Sequence, residues 1–346
     1  MARILYGVAG EGFGHTIRSR VVIEQLNKNH KIKVLSSAKS YNYLKKFFDV
    51  EKINYFKIIY RSNKAALFLT LLNNTLRLPL ILAKGWKTLS IINGFKPDIV
   101  ITDFEQLAAY SAFFRHIPVI SIDNQHIITK GCHKAFPEKH WFDAFLTKLV
   151  IKYSIIKADK YFINSFYGCK VKDENTVLIK PLLRKEIINA KTTYKDHILV
   201  YQTSKSNKKL LNELQKINEK FIVYGFYENK ELGNVILKDF NEREFFDDLS
   251  SCKAVIANGG FTLISEALYL KKPVLSIPVK RQFEQMINAI HLERIGYGMF
   301  TKETSKEAIE KFINNIPKIR KKLKNYKKYD NNNAFKKISD AVKSLS

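Results

Sequence analysis

A chain of 346 residues exceeds what a single core usually serves, so two domains of about 100–200 residues each are expected. Its 46% hydrophobic and 12% aromatic content excludes a disordered chain. The balance of 59 Lys+Arg against 32 Asp+Glu, a formal +27, excludes indifference to polyanions. Anionic membrane surfaces and phosphorylated substrates are the expected partners, and nucleic acid is not. A coding bias toward Lys, Asn and Ile explains the same charge equally well, and only the run 318–324 is dense enough to form a local patch. Cys132, Cys169 and Cys252 share no C-x-x-C spacing and indicate neither a disulfide framework nor a zinc site.

From the N-terminus, the apolar run 3–8 reads as a strand. With no charged segment, long apolar core and cleavage site ahead of it, a cytosolic chain is expected, at most peripheral on the inner membrane face. Gly10-Glu11-Gly12-Phe13-Gly14-His15-Thr16-Ile17-Arg18-Ser19 follows at once. It fails as a dinucleotide fingerprint, because His15 stands where the third glycine is needed. Helical spacing then runs over 16–26, a strand over 31–35 and a long helical pattern over 65–93. Within it Asn73, Asn74, Arg77 and Pro79 make 65–83 too polar for an isolated membrane span. A buried amphipathic helix is the first reading there; a face on a membrane interface, ending near Trp86, is the second.

Strands at 98–102 and 118–122 deliver polar groups at their C-terminal ends, Asp103 and Glu105 after the first, Asp123 and His126 after the second. Capping a helix competes evenly with a catalytic role for Asp103, and a structural role is the stronger reading for Asp123 and His126. Helices over 106–115 and 141–157 and strands over 160–164 and 177–179 complete this half. The polar stretch 185–196 divides the chain, giving domains 1–190 and 191–346. Beyond it strands are predicted at 198–201, 221–224, 235–237, 254–257 and 273–277, with helices between. That alternation specifies an α/β chain of two doubly wound, Rossmann-like domains, expected to face each other across a cleft.

The densest signal is Ala257-Asn258-Gly259-Gly260-Phe261-Thr262-Leu263-Ile264-Ser265-Glu266, a strand end, a glycine turn and a helix start. Paired glycines admit an anion close to backbone N–H groups, and the free N–H groups of the helix add partial positive charge. Taken alone, a tight turn with a surface Glu explains the stretch equally well. It is followed by the strand-like Lys272-Pro273-Val274-Leu275-Ser276-Ile277-Pro278 and by Arg281-Gln282-Phe283-Glu284-Gln285-Met286-Ile287-Asn288.

The whole block resembles the donor-site signature of GT-B glycosyltransferases, the group that includes the peptidoglycan GlcNAc transferase of family 28 and the UDP-glycosyltransferases. The resemblance implies that Asn258, Gly259, Gly260 and Thr262 hold a diphosphate, with Ser204 in the turn 203–206 as a supplement. It further implies Glu266 on the ribose, Glu284 and Gln285 on the sugar hydroxyls, and Asn288 nearby. Asn258 departs from the His that many relatives carry, and Leu263 from their Ser or Thr. The first loop resembles the Gly-His loop of the same enzymes, which implies His15 as the base that deprotonates the acceptor and Asp103 as its orienting carboxylate. Gly12, Gly14, Asp123 and His126 are then the acceptor-side candidates.

The expected function is inverting transfer from a nucleoside-diphosphate sugar, a UDP-sugar first, to a hydroxyl on a lipid or envelope glycan. No metal and no cofactor beyond that co-substrate are expected, since no suitable Asp-x-Asp pair occurs and helix N-termini can stabilise the departing diphosphate. One rival is a UDP-sugar 2-epimerase of the same fold, whose phosphate turn reads Asp-Ser-Gly-Gly with two adjacent glutamates following. The other is a basic polyanion binder without activity, which steeply salt-dependent binding would reveal.

Overall fold

The computed structural model describes residues 1–53, 60–61, 64–65, 78–132, 141–155, 157–203 and 207–346. They form two compact units: residues 1–59, 66–182 and 330–346 make unit 1, and residues 60–65 and 183–329 make unit 2.

Unit 1 is built on a parallel sheet of β1 (Arg3–Val8), β2 (Lys31–Ser36), β3 (Val50–Lys52), β6 (Ile99–Asp103), β7 (Val119–Asp123), β8 (Lys160–Asn164) and β9 (Thr176–Ile179). Their order is β3-β2-β1-β6-β7-β8-β9. The short hairpin of β4 (Tyr60–Arg61) and β5 (Lys64–Ala65) stands apart from it. The chain lays strands outward from β1 on one side, then crosses back to start β6 on the other. That reversal is where open parallel sheets bind ligands.

The central strands β1, β6 and β7 are buried over nearly their whole length because both faces are covered. Ile4, Tyr6 and Val8 point into one cluster and Leu5 into the other. Helix Phe13–Leu26 contributes Val21, Val22, Ile23 and Leu26 to the first cluster, and helix Gln106–Phe114 contributes Ala108, Ala109 and Ala112 to the second. Gly7 lets that second helix come close, since a Cβ there would meet the Ala108 methyl at 2.9 Å.

Unit 2 repeats the plan with β10 (Ile198–Tyr201), β11 (Phe221–Tyr224), β12 (Lys230–Leu232), β13 (Val235–Lys238), β14 (Ala254–Ala257), β15 (Val274–Ser276) and β16 (Gly298–Phe300). The order is β12-β13-β11-β10-β14-β15-β16, parallel except for the pairing of β12 with β13. Its reversal lies between β10 and β14.

The chain divides differently from a cut after residue 190. Residues 183–190 belong to unit 2, where Arg184 is tied to Glu266 and Glu242. The last helix, Asn332–Leu345, returns to unit 1. Its apolar stripe Ala334, Ile338, Ala341 and Val342 completes the cluster around Ile4, Tyr6 and Val8, as an amphipathic helix must find a core to cover. The strands β3, β12 and β16, the hairpin of β4 and β5, and the helices Ala38–Leu44, Ile127–Lys130 and Lys185–Ile188 are present without having been expected. The 65–77 part of the long helical pattern lies, apart from Ala65, outside the described residues, and a helix runs over Leu78–Phe95. In the basic run, Ile319 and Leu323 are buried, while Lys318, Lys321, Lys322 and Lys324 are exposed.

Candidate active site

At the reversal of unit 1, β1 ends at Val8 level with Asp103 at the end of β6. The loop after β1 is held there by backbone bonds, Ala9 N–H to the Asp103 carbonyl at 3.1 Å and Ser40 N–H to the Gly10 carbonyl at 3.3 Å. Gly10 has no room for a side chain, as a Cβ would stand 2.0 Å from Ser37 Oγ. Gly12 caps the helix with φ +94°, a left-handed conformation that glycine adopts freely. Gly14 and His15 then fall in the first turn of helix Phe13–Leu26.

His15 Nδ1 lies 2.6 Å from Asp103 Oδ1. A carboxylate can only accept, so Nδ1 carries the proton and Nε2 is left as a base. The Asp103 carboxylate is fully buried and receives more than the histidine. Arg18 donates through Nε to Oδ2 at 2.9 Å and through Nη2 to Oδ1 at 2.5 Å, and Ser19 Oγ donates to Oδ2 at 3.0 Å. His15, Arg18 and Ser19 are i, i+3 and i+4 of one helix and so share a face. Beyond the ring, the Gln125 amide donates to His15 Nε2 across 3.2 Å. Phe104, between the two strand-end carboxylates, has φ +57° and lays its ring along His15 at 6.2 Å between centroids.

Glu105, rather than Asp103, caps the next helix, accepting from Leu107 N–H at 3.0 Å and Ala108 N–H at 2.7 Å. Burial pushes its carboxyl up to about 7, with those backbone donors pulling the other way. Asp123 and His126 form a second, enclosed pair. His126 Nδ1 meets Asp123 Oδ2 at 2.6 Å, its own N–H meets Oδ1 at 2.9 Å, and Ser121 Oγ donates to Oδ2 at 2.6 Å. Burial alone would raise the Asp123 carboxyl, but His126 and these donors hold it well below the ordinary range. The His126 ring packs at 4.8 Å from the Tyr161 ring and is only 3% exposed.

At the reversal of unit 2 the side chains are neutral. Asn258, buried, accepts from Thr203 N–H at 2.9 Å and donates to Gln202 Oε1 and the Ile277 carbonyl, both at 3.2 Å. Its amide therefore fastens the turn after β10 to the turn after β14. Gly259 has φ +32°, and a Cβ would stand 2.5 Å from the Gln285 carbonyl oxygen. Ser276 Oγ accepts from Gly259 N–H at 3.2 Å, and Asn288 donates to the Gly259 carbonyl at 3.1 Å. Gly260 caps helix Phe261–Tyr269, whose first turn carries Thr262, and nothing stands within 4 Å of where its Cβ would be.

Gln285 is tied down as well, accepting from Val279 N–H at 2.9 Å, while Glu284 sits half-buried in the first turn of helix Phe283–Arg294. Ser204 lies outside the described residues. Glu266 is buried two turns into its helix rather than on its surface. Arg184 meets it twice, Nε to Oε1 and Nη2 to Oε2, both at 2.8 Å. Burial pushes the Glu266 carboxyl up, with Arg184 pulling it back.

A family profile described as Glycosyl transferase family 1 matches residues 2–317. The chain belongs to that family. It is 29% identical to an uncharacterized glycosyltransferase of Methanosarcina acetivorans, over 91% of this chain and 89% of the relative. It is 26% identical, over 96% and 94%, to the Clostridium botulinum UDP-N-acetylglucosamine–N-acetylmuramyl-(pentapeptide) pyrophosphoryl-undecaprenol N-acetylglucosamine transferase. Among solved structures, the calicheamicin glycosyltransferase superposes with a TM-score of 0.64 at 13% identity, over all of this chain and 98% of that one. A UDP-glucosyltransferase of Polygonum tinctorium gives 0.65 at 13%, over 93% and 92%. This chain is a glycosyltransferase with the GT-B fold.

Arg18, Ser19, Gln125 and Arg184 escaped the sequence reading. Arg18 and Ser19 had a readable signal, their helical spacing from His15. Gln125 had one too, its place between Asp123 and His126 after the same strand, whereas Arg184 had none, being 82 positions from its partner.

Proposed function

We propose that this glycosyltransferase moves a sugar, with inversion, from a nucleoside-diphosphate sugar, UDP-linked, to a hydroxyl of a lipid-linked or envelope glycan. The observation that carries the reading is the His15 Nδ1 to Asp103 Oδ1 bond of 2.6 Å at the reversal of unit 1. It leaves Nε2 with a lone pair, and a histidine accepts a proton near neutral pH. His15 takes the proton of the acceptor hydroxyl as that oxygen attacks the anomeric carbon, and Asp103 steadies the imidazolium.

In unit 2, Gly259, Gly260 and Thr262 at the start of helix Phe261–Tyr269 receive the diphosphate, and Glu284, Gln285 and Asn288 surround the donor sugar. Asn258 serves by fixing the turn, since its amide is already bonded within the unit. Glu266 anchors the ribose, sharing its oxygens with Arg184. No metal takes part: backbone N–H groups stabilise the leaving diphosphate. The uridine and the lipid-linked acceptor are supported by the name of the Clostridium relative.

A face on unit 1 suited to an anionic membrane accords with such an acceptor. Helix Trp141–Ser154 exposes Trp141 (67%), Phe142 (55%), Phe145 (51%) and Tyr153 (63%), beside Lys148 and Lys152. Among the described residues no helix is long and apolar enough to cross a membrane.

The test is product stereochemistry. Incubated with UDP-N-acetylglucosamine and an undecaprenyl-diphosphate-linked saccharide, the protein should release UDP and form a β-linked product from the α-linked donor, read from the anomeric proton coupling. An α-linked product overturns inversion; a melting temperature unmoved by UDP, where a native-state ligand must raise it, overturns the uridine assignment.

A further inference from the structure

The Asp103 carboxylate is saturated. It has roughly four lone-pair sites, and four donors fill them: His15 Nδ1, Ser19 Oγ, and Nε and Nη2 of Arg18. Two of the four belong to one guanidinium, itself only 4% exposed. The paired N–H groups of an arginine fix a carboxylate in plane and direction, which a single-point cation cannot do. Nη2 also stands 3.2 Å from His15 Nδ1, so it and the ring nitrogen converge on the same oxygen, Oδ1.

We propose that Arg18 is a positioning residue of the transfer site: it clamps Asp103 so that an ionised Oδ1 faces His15 Nδ1, and thereby keeps the ring in the tautomer whose Nε2 is unprotonated. This rests on the reading of His15 as the base and adds what that reading lacks, the reason the base nitrogen is the one turned away from Asp103. Without the guanidinium, a fully buried carboxylate loses its compensating cation, and uptake of a proton relieves it. A protonated carboxyl donates, so its bond with Nδ1 reverses and the ring proton moves to Nε2. The base is then blocked although every remaining side chain is in place.

The experiment reads the tautomer directly, without needing the acceptor. In protein labelled with 15N-histidine, the His15 signals are those absent from His15→Ala. In the unaltered chain they should report a protonated Nδ1 and a bare Nε2 above the pH at which the ring loses its charge. Arg18→Met should convert most of the population to the Nε2-protonated form and lower kcat at least about tenfold, with donor KM within about twofold. Arg18→Lys should give a mixture of the two tautomers. An unchanged Nδ1–H signature in folded Arg18→Met overturns the proposal. If Arg18→Met does not fold, Arg18→Lys decides, and an unmixed Nδ1–H signature there overturns it equally. Retained turnover in His15→Ala would instead strike the assignment of His15 as base, while the 15N spectra still decide what Arg18 does to the ring.

Discussion

The two sheets reverse their strand order in the same way and fill the reversal with opposite chemistry. Between β1 and β6 stand ions: Asp103, Arg18 and a titratable His15 joined within 3 Å. Between β10 and β14 stand amides and glycines, with Asn258, Gln202 and Asn288 bonding the two turns to each other and to the Gly259 backbone. An ionic cluster can shift a proton, because small movements change which atom holds it. A neutral turn held by amide bonds cannot, but it can hold backbone N–H groups in place for a guest that brings its own charge. The comparison predicts that substitutions in unit 1 act on turnover and those in unit 2 on donor affinity and on stability.

The largest effect is expected from His15→Ala. A general base contributes roughly 10²–10⁴-fold to the chemical step, so kcat should fall by that order while calorimetric affinity for UDP stays within about twofold. Lost nucleotide affinity with intact turnover per bound donor would break the contrast between the two reversals.

Next in size is Arg184→Met. It leaves the Glu266 carboxylate buried without a partner, and breaking such a pair typically costs about 3–5 kcal/mol. Denaturant unfolding should show the loss, and Arg184→Met with Glu266→Met should recover most of it. Additive losses in the double variant would mean that the two side chains are not one unit, freeing Glu266 to serve the ribose alone.

How much of this was legible follows from the range of each interaction. The strands were readable because a sheet covered on both faces demands uninterrupted apolar runs, as 3–8 and 254–257 provide. That His15 and Asp103 share an edge was readable too, since both leave the C-terminal ends of parallel strands. Which carboxylate caps the following helix was not: Asp103 and Glu105 both precede it, and the choice falls to Glu105, with Phe104 in a left-handed turn between them. The return of helix Asn332–Leu345 to unit 1 was equally hidden. Its stripe of apolar residues states that it covers a core but not which one.

Glu105 gives a sharper test of unit 1, because its burial is a statement about pH. Its carboxyl is pushed up to about 7, whereas unfolded it titrates near its ordinary value of about 4.3. The native state therefore binds the extra proton between those two values. Stability from this group is complete below the lower value and is lost as pH rises through the upper one. The difference amounts to about 4 kcal/mol. Glu105→Gln, which cannot ionise, should flatten the fall in unfolding free energy between about pH 4 and about pH 7. A wild-type slope in that variant would place the dependence elsewhere.

The smallest change, and the one that separates fold from ligand in unit 2, is a methyl group on each of two adjacent glycines. At Gly259 the backbone is left-handed and a Cβ would lie 2.5 Å from the Gln285 carbonyl oxygen and 2.9 Å from the Gln285 Cβ. Neither neighbour is the loose end of a side chain, so the first turn of helix Phe283–Arg294 must shift. Gly259→Ala should cost roughly 1–3 kcal/mol of stability, the usual range for a strained backbone site. At Gly260, φ is −68° and nothing stands within 4 Å of the added carbon. Gly260→Ala should therefore unfold within about 0.5 kcal/mol of the unaltered chain. If Gly260 is bare because a diphosphate approaches it, the same methyl should weaken UDP binding about tenfold or more, a loss of about 1.4 kcal/mol. Calorimetry on the two variants distinguishes the reasons: stability lost at 259 and affinity lost at 260 fits a turn shaped first by its own packing and then by a guest. Affinity for UDP unchanged in Gly260→Ala would show that the open side of the turn is not where the phosphates lie.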